Sequence, residues 1–145
     1  MYDLVNKYLT EKQLIKAAKA ELDSNKSAKW SGILYRAIDS KRGDTALGDG
    51  LYLTPDIDAV KFYGKNIKKF QAKNINVLGM NSREFDSIRR YVNSDEGWDK
   101  YFDLHSISQK VALEAEQRGY EAIYGGSSLG IVVFPKYIKK RLKEI

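Results

Sequence analysis

Hydrophobic positions along this chain change their period several times, and each change marks an element. Leu14, Ile15, Ala18 and Leu22 recur at helical spacing with lysines opposite, behind a Thr10 cap with Gln13 three residues on, which predicts an amphipathic N-terminal helix. Asp23 to Ser27 breaks it. Ile33 to Ile38 is β-branched and aromatic and reads as a strand, followed by a polar, glycine-bearing loop from Asp39 to Asp49. Leu51 to Leu53 is a second, short strand. Thr54 as cap, Pro55 at the first helical position and Asp56 in the first turn then predict a helix. Ile57, Val60 and Phe62 or Tyr63 give that helix its inner face, and Gly64 its stop.

Lys68 to Leu78 alternates as a strand, and Ser82 to Val92 puts Phe85, Ile88 and Val92 on one side of a helix. Asn93 to Gly97 reads as a turn. Residues 98–119 form one amphipathic helix or two, closed by Gly119. Tyr120 to Tyr124 and Ile131 to Phe134 are strands joined by a Gly-Gly-Ser-Ser-Leu-Gly loop. Pro135 stops the last strand, and a short basic helix anchored by Ile138 and Leu142 closes the chain. The predicted architecture is α+β in a single domain: a helical front segment, 1–30, as a cap, and a core, 31–145, of split sheet with helices inserted between its strands.

Composition narrows the function classes. With 145 residues, 43% hydrophobic and 30% charged, the chain can bury a core of its own. No apolar run reaches the ~20 residues of a membrane span, and the N-terminus lacks a basic-then-apolar leader pattern. The expected setting is the cytoplasm, the chain's own or a host's. There is no cysteine and one histidine, His105, so disulfide frameworks and His- or Cys-based metal sites are not expected. A Ser-His-Asp arrangement would have to use His105, which reads as part of a helix start. The net charge of +6 fits either a solvated lysine surface or a polyanionic partner. Lysines interleaved with aromatics, at Lys61-Phe62-Tyr63 and Lys68-Lys69-Phe70, keep a basic nucleic-acid-associated protein among the readings.

The residues with chemistry cluster early. Arg36, at the end of the first strand, carries a rigid fork of donors suited to a diphosphate, or to pairing with Asp39 or Glu121. Tyr52 and Tyr63 offer aromatic faces to a cationic ring, or belong to the core. Gly48 and Gly50 permit close backbone approach, or form a tight turn. Thr54 can bond a ribose hydroxyl as well as cap the helix. A fork of cationic donors with two aromatic rings is the equipment for a pyridine dinucleotide, NAD.

Tyr35-Arg36, Gly50-Leu51-Tyr52-Leu53-Thr54, Ala59-x-x-Phe62-Tyr63 and the tail Gly119-Tyr120-Glu121-Ala122-Ile123…Ile131-Val132-Val133-Phe134-Pro135 resemble, in order and spacing, the ADP-ribosyltransferase fold of small phage and bacterial members. The resemblance covers roughly residues 31 to 140. It mixes two branches: Tyr35-Arg36 is similar to the Arg type, and Tyr52 with Tyr63 to the poly-ADP-ribose-polymerase type. It implies a transferase that moves ADP-ribose from NAD to a protein or nucleic-acid acceptor, in the manner of a toxin or phage effector. Arg36, Tyr52 and Glu121 would be the catalytic residues, and Arg36, Gly50, Tyr52, Thr54 and Tyr63 the NAD-binding ones. One departure stands out: the family's late Glu falls at Leu129, Gly130 or Ile131, none acidic, which leaves Glu121, then Asp44 and Asp49, as the acid. The alternative is a fold member without catalysis that binds a nucleotide or inhibits a protein.

Overall fold

The computed structural model of the protein describes residues 11–24, 28–37, 50–62 and 64–145. Its spine is β3 (Ile67–Gly79). Along one edge runs β1 (Ala28–Ala37), antiparallel, from Ala28 opposite Val77 to Ala37 opposite Ile67. The other edge is shared. β4 (Ala122–Tyr124) lies parallel to Val77–Gly79, and β6 (Leu142–Glu144) lies antiparallel to Phe70–Ala72. β5 (Ile131–Val133) and β2 (Leu51–Leu53) extend the order to β1-β3-β4-β5-β2. The sheet curls until the two ends of that order meet at a single bridge, Tyr35 to Thr54, with reciprocal amide–carbonyl bonds of 2.8 and 2.9 Å.

Strand alternation sorts the apolar residues into two layers. Inside the curl lie Trp30, Leu34, Leu53, Ala72, Ile75, Val77, Tyr124, Ile131 and Val133. Helix α1 (Glu11–Asp23) caps this layer with Ala18 and Leu22. Two long-range bonds pin it there: the Trp30 Nε1–H donates to the Ala18 carbonyl at 2.8 Å, and the Tyr124 hydroxyl donates to Asp23. Burial and the Asp23 carboxylate push the Tyr124 hydroxyl's pKa above its ordinary value.

Outside the curl, Leu78, Ile123, Val132 and Phe134 meet a helical layer. After the four-residue α2 (Ile57–Val60), that layer comprises α3 (Arg83–Val92), α4 (Asp95–Lys100) and α5 (Ile107–Gln117). A bulge shapes the spine. Trp30 pairs with Ile75 but Gly32 with Ala72, so Ser31 opposes both Lys73 and Asn74. Asn74 takes a left-handed φ of 51°, and its amide donates to Ser31 Oγ at 3.0 Å.

Several expectations change. β1 starts at Ala28 rather than Ile33, because Trp30 is buried against α1. The cap of α2 is Asp56, not Thr54: Asp56 Oδ1 accepts from the amides of Asp58 and Ala59, while the Thr54 backbone is committed to the bridge. That helix ends at Val60, well before Gly64. The expected turn at Asn93–Gly97 starts α4, capped by Ser94 Oγ on the Gly97 amide. The 125–130 connection contains one helical turn, α6 (Gly126–Leu129). The final helix, α7 (Ile138–Arg141), gives way to β6, which the basic pattern of the tail did not predict.

Glu114 ties the helical layer together. It is buried and accepts from the Tyr101 hydroxyl at 2.7 Å, Lys100 Nζ at 3.1 Å and Arg118 Nε at 2.8 Å. Lys100 and Arg118 also flank the Tyr91 ring of α3, at 5.6 and 5.5 Å. Burial alone would raise the Glu114 pKa, but the three donors outweigh it and hold the carboxyl below its ordinary value. Burial first, and the Glu114 bond second, push Tyr101 up to about 12.

A depressed carboxylate stabilises the fold above its unfolded value of 4.5, and that contribution is lost as pH falls through the lower folded value. Glu114→Gln should therefore cost about 1–3 kcal/mol at neutral pH. Urea melts of the two proteins should converge in strongly acidic buffer; a gap that persists there would contradict the charge-based account.

Candidate functional site at the β1–β2 seam

An antiparallel ladder begun at the hydrogen-bonded pair Tyr35–Thr54 would next exchange bonds between Ala37 and Tyr52. Instead the bridge stands isolated, and the Tyr52 carbonyl accepts from Arg36 Nη1 at 3.0 Å. The two strands part at this point, and a guanidinium spans the opening. Arg36 is half-buried and has no carboxylate partner among the described residues. A guanidinium carries five N–H donors, and the bond to Tyr52 uses one. A partly desolvated cationic fork of this kind suits a bidentate anion.

Strand alternation settles which groups share that opening. Arg36 lies on the same face of β1 as Leu34, the inner side of the curl. Leu51 and Leu53 of β2 also face inward, so the Tyr52 ring faces outward and packs against the helix-side core. Tyr52 thus gives the seam its carbonyl, while its ring stands on the other side of the sheet. Thr54 completes the bridge, and its Oγ1 accepts from the Asp56 amide at 3.1 Å. Tyr63 lies outside the described residues, as do Asp39, Asp44, Gly48 and Asp49.

Glycine is required on both sides of β2. A Cβ on Gly50, at φ +154°, would sit 2.4 Å from the Val133 carbonyl oxygen. One on Gly130, at φ +71°, would sit 2.3 Å from that of Leu53. These two positions let β2 lie flush on β5 and so fix where the seam opens.

Glu121 is placed elsewhere and is fully engaged. It is 7% exposed, just before β4. Its Oε1 accepts from the Asn76 amide at 2.9 Å, and its Oε2 accepts from Arg141 Nη2 and Nε at 2.9 and 3.2 Å. The cation beside Glu121 is therefore Arg141, not Arg36.

Two residues have a placement that the sequence did not foretell. Lys68 sits opposite Arg36 in the β1–β3 register and pairs with Glu144 at 3.4 Å. Its alternation with Phe70 and Ala72 was the available signal. Arg141 carried none, because its partner Glu121 lies 20 residues earlier and meets it only in the folded sheet. His105 is exposed, directly before the Ser106 cap of α5. No group of three or more His, Asp or Glu side chains is arranged to hold a metal among the described residues.

If the Glu121–Arg141 pair is a structural clasp, the two side chains should be energetically coupled. A double-mutant cycle with Glu121→Gln and Arg141→Ala should give a coupling energy of about 1–2 kcal/mol in chemical denaturation. Strict additivity would mean that the pair contributes nothing to folding.

No family model matches this chain, and no curated protein matches its sequence. Two solved structures are similar to it at low identity. The M. tuberculosis MbcT–MbcA toxin–antitoxin complex has a chain of TM-score 0.49 and 15% identity, covering 90% of this chain and 90% of that one. An anti-CRISPR protein has a TM-score of 0.44 and 14% identity, covering 79% of this chain and 96% of that one.

Proposed function

We propose that the β1–β2 seam binds NAD by its pyrophosphate, and that the protein is an ADP-ribosyltransferase-like enzyme acting on a protein or nucleic-acid acceptor. The observation that carries this reading is Arg36: a half-buried guanidinium, oriented by the Tyr52 carbonyl at a break in the ladder, with its remaining donors unspent on any described carboxylate. The family resemblance assigns the ribose to Thr54 and the nicotinamide to Tyr52 and Tyr63; since the Tyr52 ring packs on the helix side of the sheet, away from Arg36, Tyr63 is left as the aromatic partner in this reading. In the transfer, the ribose C1′–N bond breaks and nicotinamide leaves with the electron pair. The acceptor nucleophile bonds to C1′ and gives up its proton. The sequence nominates Glu121 to steady the cationic ribose, a role for which it would have to give up both the Asn76 amide and Arg141.

The Glu121–Arg141 bond itself favours a second reading, a nucleotide- or protein-binding inhibitor on the same scaffold without the chemistry. The two separate in one assay series. At NAD concentrations about a hundredfold above Kd, ligation adds about 2.7 kcal/mol, which reads as a rise in melting temperature. Arg36→Ala should abolish that rise; an unchanged rise would put the nucleotide elsewhere. Nicotinamide release above the blank, lost in Glu121→Gln, supports the enzyme. NAD binding with release at the blank level supports the inhibitor, and no binding at all sinks both nucleotide readings.

A further inference from the structure

A groove of about 330 Å³ lies on the helical side of the sheet. One wall is a stripe of α5, Gln109, Ala112, Leu113 and Glu116, at the i, i+3, i+4, i+7 spacing of a single helix face. The other wall is the chain leaving β5, Phe134, Pro135 and Lys136. Its apolar middle is Ala112, Leu113 and Phe134, and Leu113 is 41% exposed. None of the predicted NAD-site residues lines it, so it is separate from the seam.

The charges at its rim are unbalanced. Lys136 stands at the lip, and α7 follows immediately with Lys140 on the same Tyr137 ring and Lys139 beside it in sequence, all exposed. The ammonium groups of Lys136 and Lys140 both lie 5.9 Å from the Tyr137 ring, which gathers them at this end. None of these three lysines pairs with a carboxylate among the described residues. Glu116 stands on the helical wall. Clustered like charges repel one another, and an acidic partner relieves that repulsion. The volume accommodates a few anchoring side chains.

We infer that this groove docks an amphipathic segment of a partner protein whose apolar side chains enter between α5 and Phe134 and whose acidic residues meet Lys136 and Lys140. The apolar contact supplies affinity, and the lysines supply orientation and on-rate. This docking is independent of the nucleotide seam.

The probe is a synthetic helical peptide of roughly 16 residues, with Leu at i, i+3, i+4 and i+7 and Glu at the flanking positions. A matched peptide carries Lys for Glu. In fluorescence anisotropy the acidic peptide should bind the intact chain and the basic one should not. Lys136→Glu with Lys140→Glu should weaken binding about tenfold, as expected for two rim ion pairs. Leu113→Asp should abolish binding, while Arg36→Ala should leave it unchanged. Circular dichroism melts confirm that each variant is folded, and Leu113→Ser serves if Leu113→Asp is not. Equal binding of both peptides, failure of the acidic peptide to bind, or indifference to both Leu113 variants would overturn the inference. So would preferential binding of oligodeoxythymidine lost with the lysine changes alone, which would make the occupant a nucleic acid. A concentration-dependent dimer abolished by Leu113→Asp would make it a second copy of this chain and would equally overturn it.

Discussion

One buried carboxylate holds the two halves of the sheet edge together. β3 offers a continuous edge, but β4 uses only its C-terminal end and β6 only its middle. Between them, the amide of Asn76 would be left without a strand partner. Glu121 Oε1 accepts from that amide, and its Oε2 holds Arg141 directly before β6 begins. A single side chain thereby satisfies a backbone donor and anchors the last strand. An unmade hydrogen bond at a buried edge costs about 1–3 kcal/mol, so the carboxylate matters to the fold whatever it does in chemistry. The same residue is the stand-in acid of the proposed transfer, and the competing demands on it separate the two functional readings.

The seam shows the converse arrangement. There a side chain interrupts the backbone ladder instead of completing it. Arg36 takes the carbonyl that the next pair of the ladder would have used, and β1 and β2 part with a cation between them. The close packing of β2 on β5, where Gly50 and Gly130 leave no room for a side chain, prevents the short strand from shifting to close the gap. Rigid packing on one edge and an open ladder on the other keep the Arg36 fork in a fixed place at the opening.

Elements with a strong local signal were legible in the sequence. The helix from Arg83 to Val92 is legible from the helical period of Phe85, Ile88 and Val92, all three of them buried, and the structure adds Ser82 as its cap. The strand through Phe70 and Ala72 and the final antiparallel pair were legible from their local pattern as well. Trp30 was missed as a strand residue because its place depends on α1, a tertiary contact. β6 was missed because three residues with lysine in the middle look like tail, and only the vacant edge of β3 makes them a strand. At the candidate site, local sequence located Arg36 and Gly50 but could not say which way Tyr52 faces. Sheet register decides that, and it sends the ring to the far side.

Between Gly79 and Ala122 the chain leaves the sheet, builds the entire outer layer of helices, and returns to run alongside the strand it left. A parallel neighbour of this kind cannot form by a simple reversal; it waits for the excursion to compact. The Glu114 cluster, formed within that excursion, shortens the distance the ends must close. Assembly is thus ordered in time. The β4–β5 pair, closed between Tyr124 and Ile131, has the least chain to order, whereas its docking beside β3, and with it the completed rim on which β2 rests, waits for the excursion to compact.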